Sequence, residues 1–203
     1  KMVAVRVVSL NVNGIRSAHR KGLGPFLAAA DPDVVCFQEV RAEPAQVPEL
    51  QLPHVAYWSP AVRKGYSGVG TLVRSAPARV VPGIGVDEFD LEGRVLRTDL
   101  ADVTVVNVYL PSGTTGDVRQ AAKYRFMTAF EGYVSGLIAE GRELLVCGDI
   151  NIAHRPVDLK NWRSNQKTSG FLPDERSWFG VLLELGLVDV VRELAGPDGE
   201  VYS

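Results

Sequence analysis

Arg94-Val95-Leu96-Arg97-Thr98-Asp99-Leu100 and Val103-Thr104-Val105-Val106-Asn107-Val108-Tyr109-Leu110, separated only by Ala101-Asp102, read as two β-strands joined by a two-residue hairpin. A hairpin imposes antiparallel pairing. Downstream, residues 118–140 place Phe126, Phe130, Tyr133, Val134, Leu137 and Ile138 on one helical face. Leu144-Leu145-Val146-Cys147 then reads as a strand covered on both faces, ending in Gly148-Asp149-Ile150-Asn151. Upstream, Gly68-Val69-Gly70-Thr71-Leu72-Val73, Asp33-Val34-Val35-Cys36-Phe37-Gln38 and Val3-Ala4-Val5-Arg6-Val7-Val8-Ser9-Leu10 are further strands, with a short helix over 22–30 stopped by Asp31-Pro32. Strands joined by a hairpin in one place and by helices elsewhere predict an α/β architecture with mixed sheets, not a uniform parallel one. Residues 41–60, rich in proline and without a steady period, read as a loop with room for one helical turn. The polar segment 154–170 precedes a helix from about residue 173, with Trp178, Val181, Leu182 and Leu185 inward and Gly186 at its end.

A chain of 203 residues, 46% of them hydrophobic, is expected to form one domain with a sizeable core. No apolar run approaches the roughly 20 residues of a membrane span, and no long hydrophobic run opens the chain, so no membrane partner is expected. Cytoplasm is the default compartment, with nucleoid association in a bacterial cell, and a monomer is the expected state. Cys36 and Cys147 both lie in apolar runs and read as buried reduced thiols, not as a disulfide or a metal pair. A formal charge of -2 argues against indiscriminate binding to polyanions, so nucleic acid requires a local basic surface. Nucleotide-cradling glycine loops are absent, because Gly68-x-Gly70 lacks both a third glycine and a following helix.

The strand ends carry the polar residues. Asn11, Asn13, Glu39, Tyr109, Asp149 and Asn151 all fall there, and a mixed sheet can bring such ends to one edge. In an extended exit Asp149 and Asn151 point the same way and address one ligand together, although Gly, Asp and Asn are equally ordinary turn formers. Two carboxylates with several amide oxygens make a hard site suited to Mg²⁺ or Mn²⁺. Zinc is disfavoured, since His19, His54 and His154 show no paired spacing. Arg16, His19, Arg20 and Lys21 form one basic run, and Lys160, Trp162, Arg163 and Lys167 form another with an aromatic among the cations. Each suits phosphates and stacking, and each also reads as a solvated charged face. Arg119, Lys123 and Arg125 read as the outer face of their helix, and Trp178 as core.

At these positions the sequence resembles the exonuclease III and abasic-site endonuclease branch of the endonuclease/exonuclease/phosphatase superfamily. The matching stretches follow in family order: Ser9-Leu10-Asn11-Val12-Asn13-Gly14-Ile15-Arg16, Pro32-Asp33-Val34-Val35-Cys36-Phe37-Gln38-Glu39, Gly65-Tyr66-Ser67-Gly68-Val69-Gly70 and Glu92-Gly93-Arg94-Val95. Asn107-Val108-Tyr109-Leu110-Pro111, Gly148-Asp149-Ile150-Asn151, Asp158-Leu159-Lys160-Asn161 and Ser169-Gly170-Phe171-Leu172-Pro173-Asp174-Glu175-Arg176 complete them. The resemblance implies one domain over residues 1–203, a four-layer α/β sandwich of two mixed sheets flanked by helices. It implies a Mg²⁺-dependent hydrolase that cuts the phosphodiester 5′ to abasic sites in duplex DNA and trims blocked 3′ ends. Glu39 would hold the metal with Asp149 and Asn151, and Asn11 would support it by metal contact or by a hydrogen bond to a carboxylate. Asp149 would activate the attacking water, Asn151 would fix its geometry, and Tyr109 would stabilise the phosphate. Asn13, Arg16, Ser67, Arg94, Lys160, Trp162, Arg163 and Lys167 would contact DNA. Asn13 stands where some relatives carry Asp, so this chain brings one carboxylate fewer.

Family members continue past Tyr202-Ser203 with further strands, an Asp and a terminal Asp-His pair. The resemblance therefore implies a C-terminally incomplete domain lacking the usual final strands, with an unpaired sheet edge and weak activity as a 203-residue piece. Two other readings remain: a phosphoesterase of the same superfamily with another substrate, and a catalytically incomplete DNA-binding protein.

Overall fold

Two sheets of four strands each are found among the described residues, 5–202 of the computed structural model. In the first, β1 (Val7–Asn11) lies parallel to β2 (Val34–Gln38), and β4 (Val69–Val73) runs antiparallel to both β2 and β3 (Val55–Ser59). In the second, β5 (Arg79–Pro82), β6 (Val95–Asp99) and β7 (Val103–Tyr109) are successively antiparallel, and β8 (Glu143–Asp149) is parallel to β7. The hairpin forms where the sequence places it: Leu100 N donates to Val103 O at 2.9 Å across Ala101-Asp102. Both sheets are mixed, and the α/β class stands.

The described residues divide into two units, 5–109 with 140–149 and 110–139 with 150–202. In the first unit the sheets face each other through Val34, Cys36 and Val73 on one side and Leu100, Val105, Leu145 and Cys147 on the other. The two thiols meet in this layer and are free, and the hydrogen bond to Cys147, then burial, pushes the Cys36 thiol up. On the other face of the first sheet, α1 (Ile15–Arg20) and α2 (Leu23–Ala30) lay Ile15, Leu23 and Leu27 against Val35, Phe37 and Leu72. Burial of Leu27 and Phe37, neither of which is exposed, stabilises by about 2–3 kcal/mol each. A polar link crosses between the sheets: Gln38 Nε2 donates to Asn107 Oδ1 at 2.8 Å, and Asn107 Nδ2 donates to Gly70 O at 2.9 Å and Phe37 O at 3.1 Å. A short helix, α3 (Asp87–Asp90), precedes β6.

Several local readings are corrected. Val3 and Ala4 of the expected first strand lie outside the described residues, and β1 begins at Val7, where pairing with Val34 starts. The expected loop 41–60 holds a 3-10 turn at Pro44–Gln46 and also β3, whose Tyr57 and Trp58 pair with Thr71 and Gly70. A Cβ on Gly70 would meet the Trp58 ring at 2.2 Å, so that pairing depends on the glycine.

In the second unit α4 (Asp117–Ala139) buries Phe126, Met127, Phe130, Val134 and Leu137, and α6 (Pro173–Glu184) docks Trp178 with Nε1 donating to Met127 O at 3.1 Å. Two shorter helices, α5 (Trp162–Asn165) and α7 (Val190–Ala195), complete it. Lys123 is not on the outer face of α4: it is fully buried, because it falls three and four residues before Phe126 and Met127 on the apolar stripe. Among the described residues no helix is long and apolar enough to cross a membrane.

Candidate active site at the strand ends

Parallel pairing delivers strand ends together. Asn11 stands opposite Gln38, so Glu39 emerges beside it, and Tyr109 stands opposite Asp149. Gly148 makes the second juxtaposition possible: a Cβ there would lie 1.9 Å from Val108 O, so only glycine lets β8 approach β7 at that level. The two pairs converge on one amide. Asn11 Nδ2 donates to Asp149 Oδ2 at 2.7 Å and to Glu39 Oε1 at 3.3 Å, while Asn13 N donates to Asn11 Oδ1 at 3.0 Å and fixes which end of the amide faces the carboxylates. Tyr109 adds its hydroxyl, donating to Glu39 Oε1 at 2.5 Å.

Glu39 is held in a left-handed conformation at φ 52°, which costs about 1 kcal/mol or more and persists only where its surroundings enforce it. Backbone bonds do so: Gly14 N donates to Glu39 O at 2.7 Å, and Val40 N to Gly68 O at 3.0 Å. Its Oε2 is buried and accepts no hydrogen bond, although Arg41 Nη2 lies 2.5 Å away as an ion-pair partner. A buried carboxylate oxygen with no donor aligned on it suits a cation, and a divalent ion at this oxygen would compete with the Arg41 guanidinium. Among the described residues no three side chains of His, Cys, Asp and Glu gather into a metal cluster; the hard oxygen donors that come together are the carboxylates of Glu39 and Asp149, to both of which Asn11 Nδ2 donates.

Burial first, then the bond to Glu39, pushes the Tyr109 phenol well above its ordinary range, so it stays a donor at any working pH. Arg94 supports the ring from below, its Cζ 4.9 Å from the centroid. This corrects the expectation that Arg94 contacts DNA: it is 2% exposed and spends its donors on Glu92, Tyr109 O and Tyr66. Ser67 is likewise 2% exposed, in a left-handed turn, and cannot reach a solvent-borne ligand.

Arg16 is exposed and lines a hollow of about 320 Å³ with Gly14, Ser17, Arg20, Arg41 and Gly65. Arg41, and the exposed Arg63 and Lys64 just before Gly65, escaped the sequence reading. Their signals were adjacency to Glu39 and to the Gly65-Tyr66-Ser67 stretch. In the second unit Lys160, Arg163 and Lys167 are exposed, and Arg163 lies over the half-buried Trp162 ring at 4.7 Å. Asn151 belongs to that unit too. β8 ends at Asp149, and Asn151 turns left-handed at φ 52°, so strand alternation does not extend to it. Its Nδ2 donates to Leu110 O at 2.8 Å.

The model of the Endonuclease/Exonuclease/phosphatase family matches residues 8–197. A zebrafish (Danio rerio) protein named DNA repair nuclease APEX1 is 38% identical over 98% of this chain, which spans 66% of that protein's length. A Bacillus subtilis protein named exodeoxyribonuclease is 37% identical over 98% of this chain and 79% of its own. The solved AP endonuclease of Archaeoglobus fulgidus superposes with a TM-score of 0.85 at 27% identity, covering 94% of this chain and 74% of that one.

Proposed function

The chain belongs to the Endonuclease/Exonuclease/phosphatase family, and from that premise we propose that it is a DNA repair nuclease, hydrolysing the phosphodiester 5′ to abasic sites in duplex DNA and trimming 3′ ends. The observation that carries this reading is the single amide of Asn11 bridging two carboxylates beside a phenol that stays protonated. Glu39 and Asp149 would hold a divalent ion, Mg²⁺ or Mn²⁺. Bound there, it would neutralise charge on the phosphoryl oxygens and ease deprotonation of water.

The chain's own groups divide the remaining work. Asn11 holds Asp149 by one oxygen and so orients the carboxylate that takes the proton of the attacking water. Tyr109 has one O–H, which donates to Glu39 at this edge, and it would turn from that carboxylate to an anionic oxygen as charge grows on the phosphate. Arg94 is a positioning residue, packing beneath that ring. Asn151 would fix the geometry of that water and contact the phosphate. Duplex DNA is drawn in by the arginines of the hollow and by Lys160, Arg163 and Lys167, local basic surfaces on a chain of net charge -2.

The full natural protein is to be incubated with a fluorescent duplex carrying one abasic site, with the undamaged duplex and with an inositol phosphate, in Mg²⁺, Mn²⁺ or EDTA. Incision 5′ to the lesion in either metal, abolished by EDTA, is expected. Hydrolysis of the inositol phosphate without DNA cleavage would overturn the substrate, and binding of DNA without any hydrolysis would overturn the chemistry.

A further inference from the structure

Lys123 and Glu175 form an ion pair at 2.8 Å with neither side chain exposed. Burying two charges costs several kcal/mol per ion, and an apolar pair of similar shape serves packing at least as well. What the charges provide is direction. The ammonium, with three protons to give, has among its partners Glu175 Oε1 at 2.8 Å, Asn151 O at 2.8 Å and Ser169 Oγ at 3.4 Å. Glu175 is as fully engaged, taking Gly170 N at 2.6 Å and Leu172 N at 3.1 Å on Oε2, and Gln120 Nε2 at 3.0 Å and Ser169 Oγ at 3.1 Å on Oε1.

The knot tightens around one residue. Asn151 sits at φ 52°, a conformation that L side chains hold only when over-determined. Lys123 Nζ donates to its carbonyl, Leu110 O accepts from its side-chain amide, and Ala153 N donates to Gly170 O at 2.9 Å just beyond it. Gly170 also presses close, since a Cβ there would meet Asn151 O at 3.2 Å.

Resting on the reading of Asn151 as a phosphate-contacting residue, we propose that Lys123 and Glu175 are positioning residues that hold Asn151 in its left-handed conformation and thereby set the rate of phosphodiester hydrolysis. The pair acts on the chemical step through Asn151 and makes no contribution to DNA affinity.

The test uses the full natural protein with Lys123→Met/Glu175→Gln, a neutral pair of similar shape that leaves no isolated buried charge, and Asn151→Ala alone and combined with it. The neutral pair is expected to lower kcat on the abasic duplex by roughly tenfold to a hundredfold, the effect of about 1 Å of misplacement, with KM and DNA affinity in EDTA unchanged. Added to Asn151→Ala it is expected to lower kcat no further, because both act at one point. The Asn151 side-chain amide resonance should also shift in the neutral pair, or in Lys123→Gln/Glu175→Gln, likewise free of an isolated charge, where the first pair fails to fold. An unmoved resonance, an unchanged kcat in a folded variant, or effects that multiply with Asn151→Ala would overturn the inference. A wild-type protein that binds DNA but cuts none would overturn the nuclease reading instead, while the resonance still decides whether the pair holds Asn151.

Discussion

Asn11→Asp replaces the donor between two carboxylates with a third carboxylate. Asn11 Nδ2 lies 2.7 Å from Asp149 Oδ2 and 3.3 Å from Glu39 Oε1, so the new charge faces both. Two like-charge contacts relaxed to about 4 Å would cost about 4 kcal/mol each at the effective dielectric of a protein surface. The cluster escapes more cheaply by keeping one proton. Holding a proton on a carboxyl of ordinary pKa near 4 costs about 4 kcal/mol at pH 7 and about 1.4 kcal/mol at pH 5, and this lower route sets the magnitude. The folded variant therefore has a carboxyl pKa raised above its unfolded value. It binds more protons than the unfolded chain, and its stability falls relative to wild type as pH rises from about 4 toward 7. At roughly 2–4 °C per kcal/mol for a chain of this length, the melting-temperature deficit should grow from about 3–6 °C at pH 5 to about 8–16 °C at pH 7. Added Mg²⁺ should recover more of it in the variant than in wild type. Thermal scans at both pH values, with Mg²⁺ and with EDTA, read this directly. A deficit equal at the two pH values and indifferent to Mg²⁺ would refute the placement of Asn11 between the carboxylates and of a cation beside them.

Tyr109→Phe should lower kcat by roughly 10²–10³ as a transition-state donor is removed. Because burial and Glu39 raise the phenol's pKa, the wild-type pH–rate profile should show no alkaline loss from Tyr109 up to pH 10. Arg41→Ala removes the cation 2.5 Å from Glu39 Oε2, and Mn²⁺ titration followed by electron paramagnetic resonance should show tighter binding; weaker binding would mean that Arg41 supports the ion. Lys160→Ala and Arg163→Ala should each reduce the slope of log affinity against log salt by about 1, measured on uncut duplex in EDTA, and an unchanged slope would remove those residues from the interface.

The hairpin, the long helix and the buried strands were legible because their side-chain periods are local properties. Residues 41–60 were not. Proline near Val55 hid β3, whose justification is non-local: Trp58 fits only because Gly70 leaves space on the neighbouring strand. Lys123 shows a different failure. Its charge argued for the surface while its spacing to Phe126, Met127 and Phe130 argued for the core, and the spacing won because Glu175, some fifty residues on, neutralises it. The site was legible as a list of strand-end residues but not as roles. That Asn11 donates to both carboxylates follows from two parallel registers that no single stretch reveals. Arg94 and Ser67 looked like surface contacts by their motifs, and only burial shows the first to be a support for Tyr109.

The most direct test of the Glu39–Asp149 centre is the single-turnover incision rate of the full natural protein and its Asp149→Asn variant on a saturating abasic duplex in Mg²⁺, with DNA affinity measured in EDTA. Loss of the proton acceptor should slow incision by roughly 10²–10⁴ while affinity stays within about twofold of wild type. An Asp149→Asn protein that incises at the wild-type rate would contradict the account, because the chemistry would then lie elsewhere in the chain.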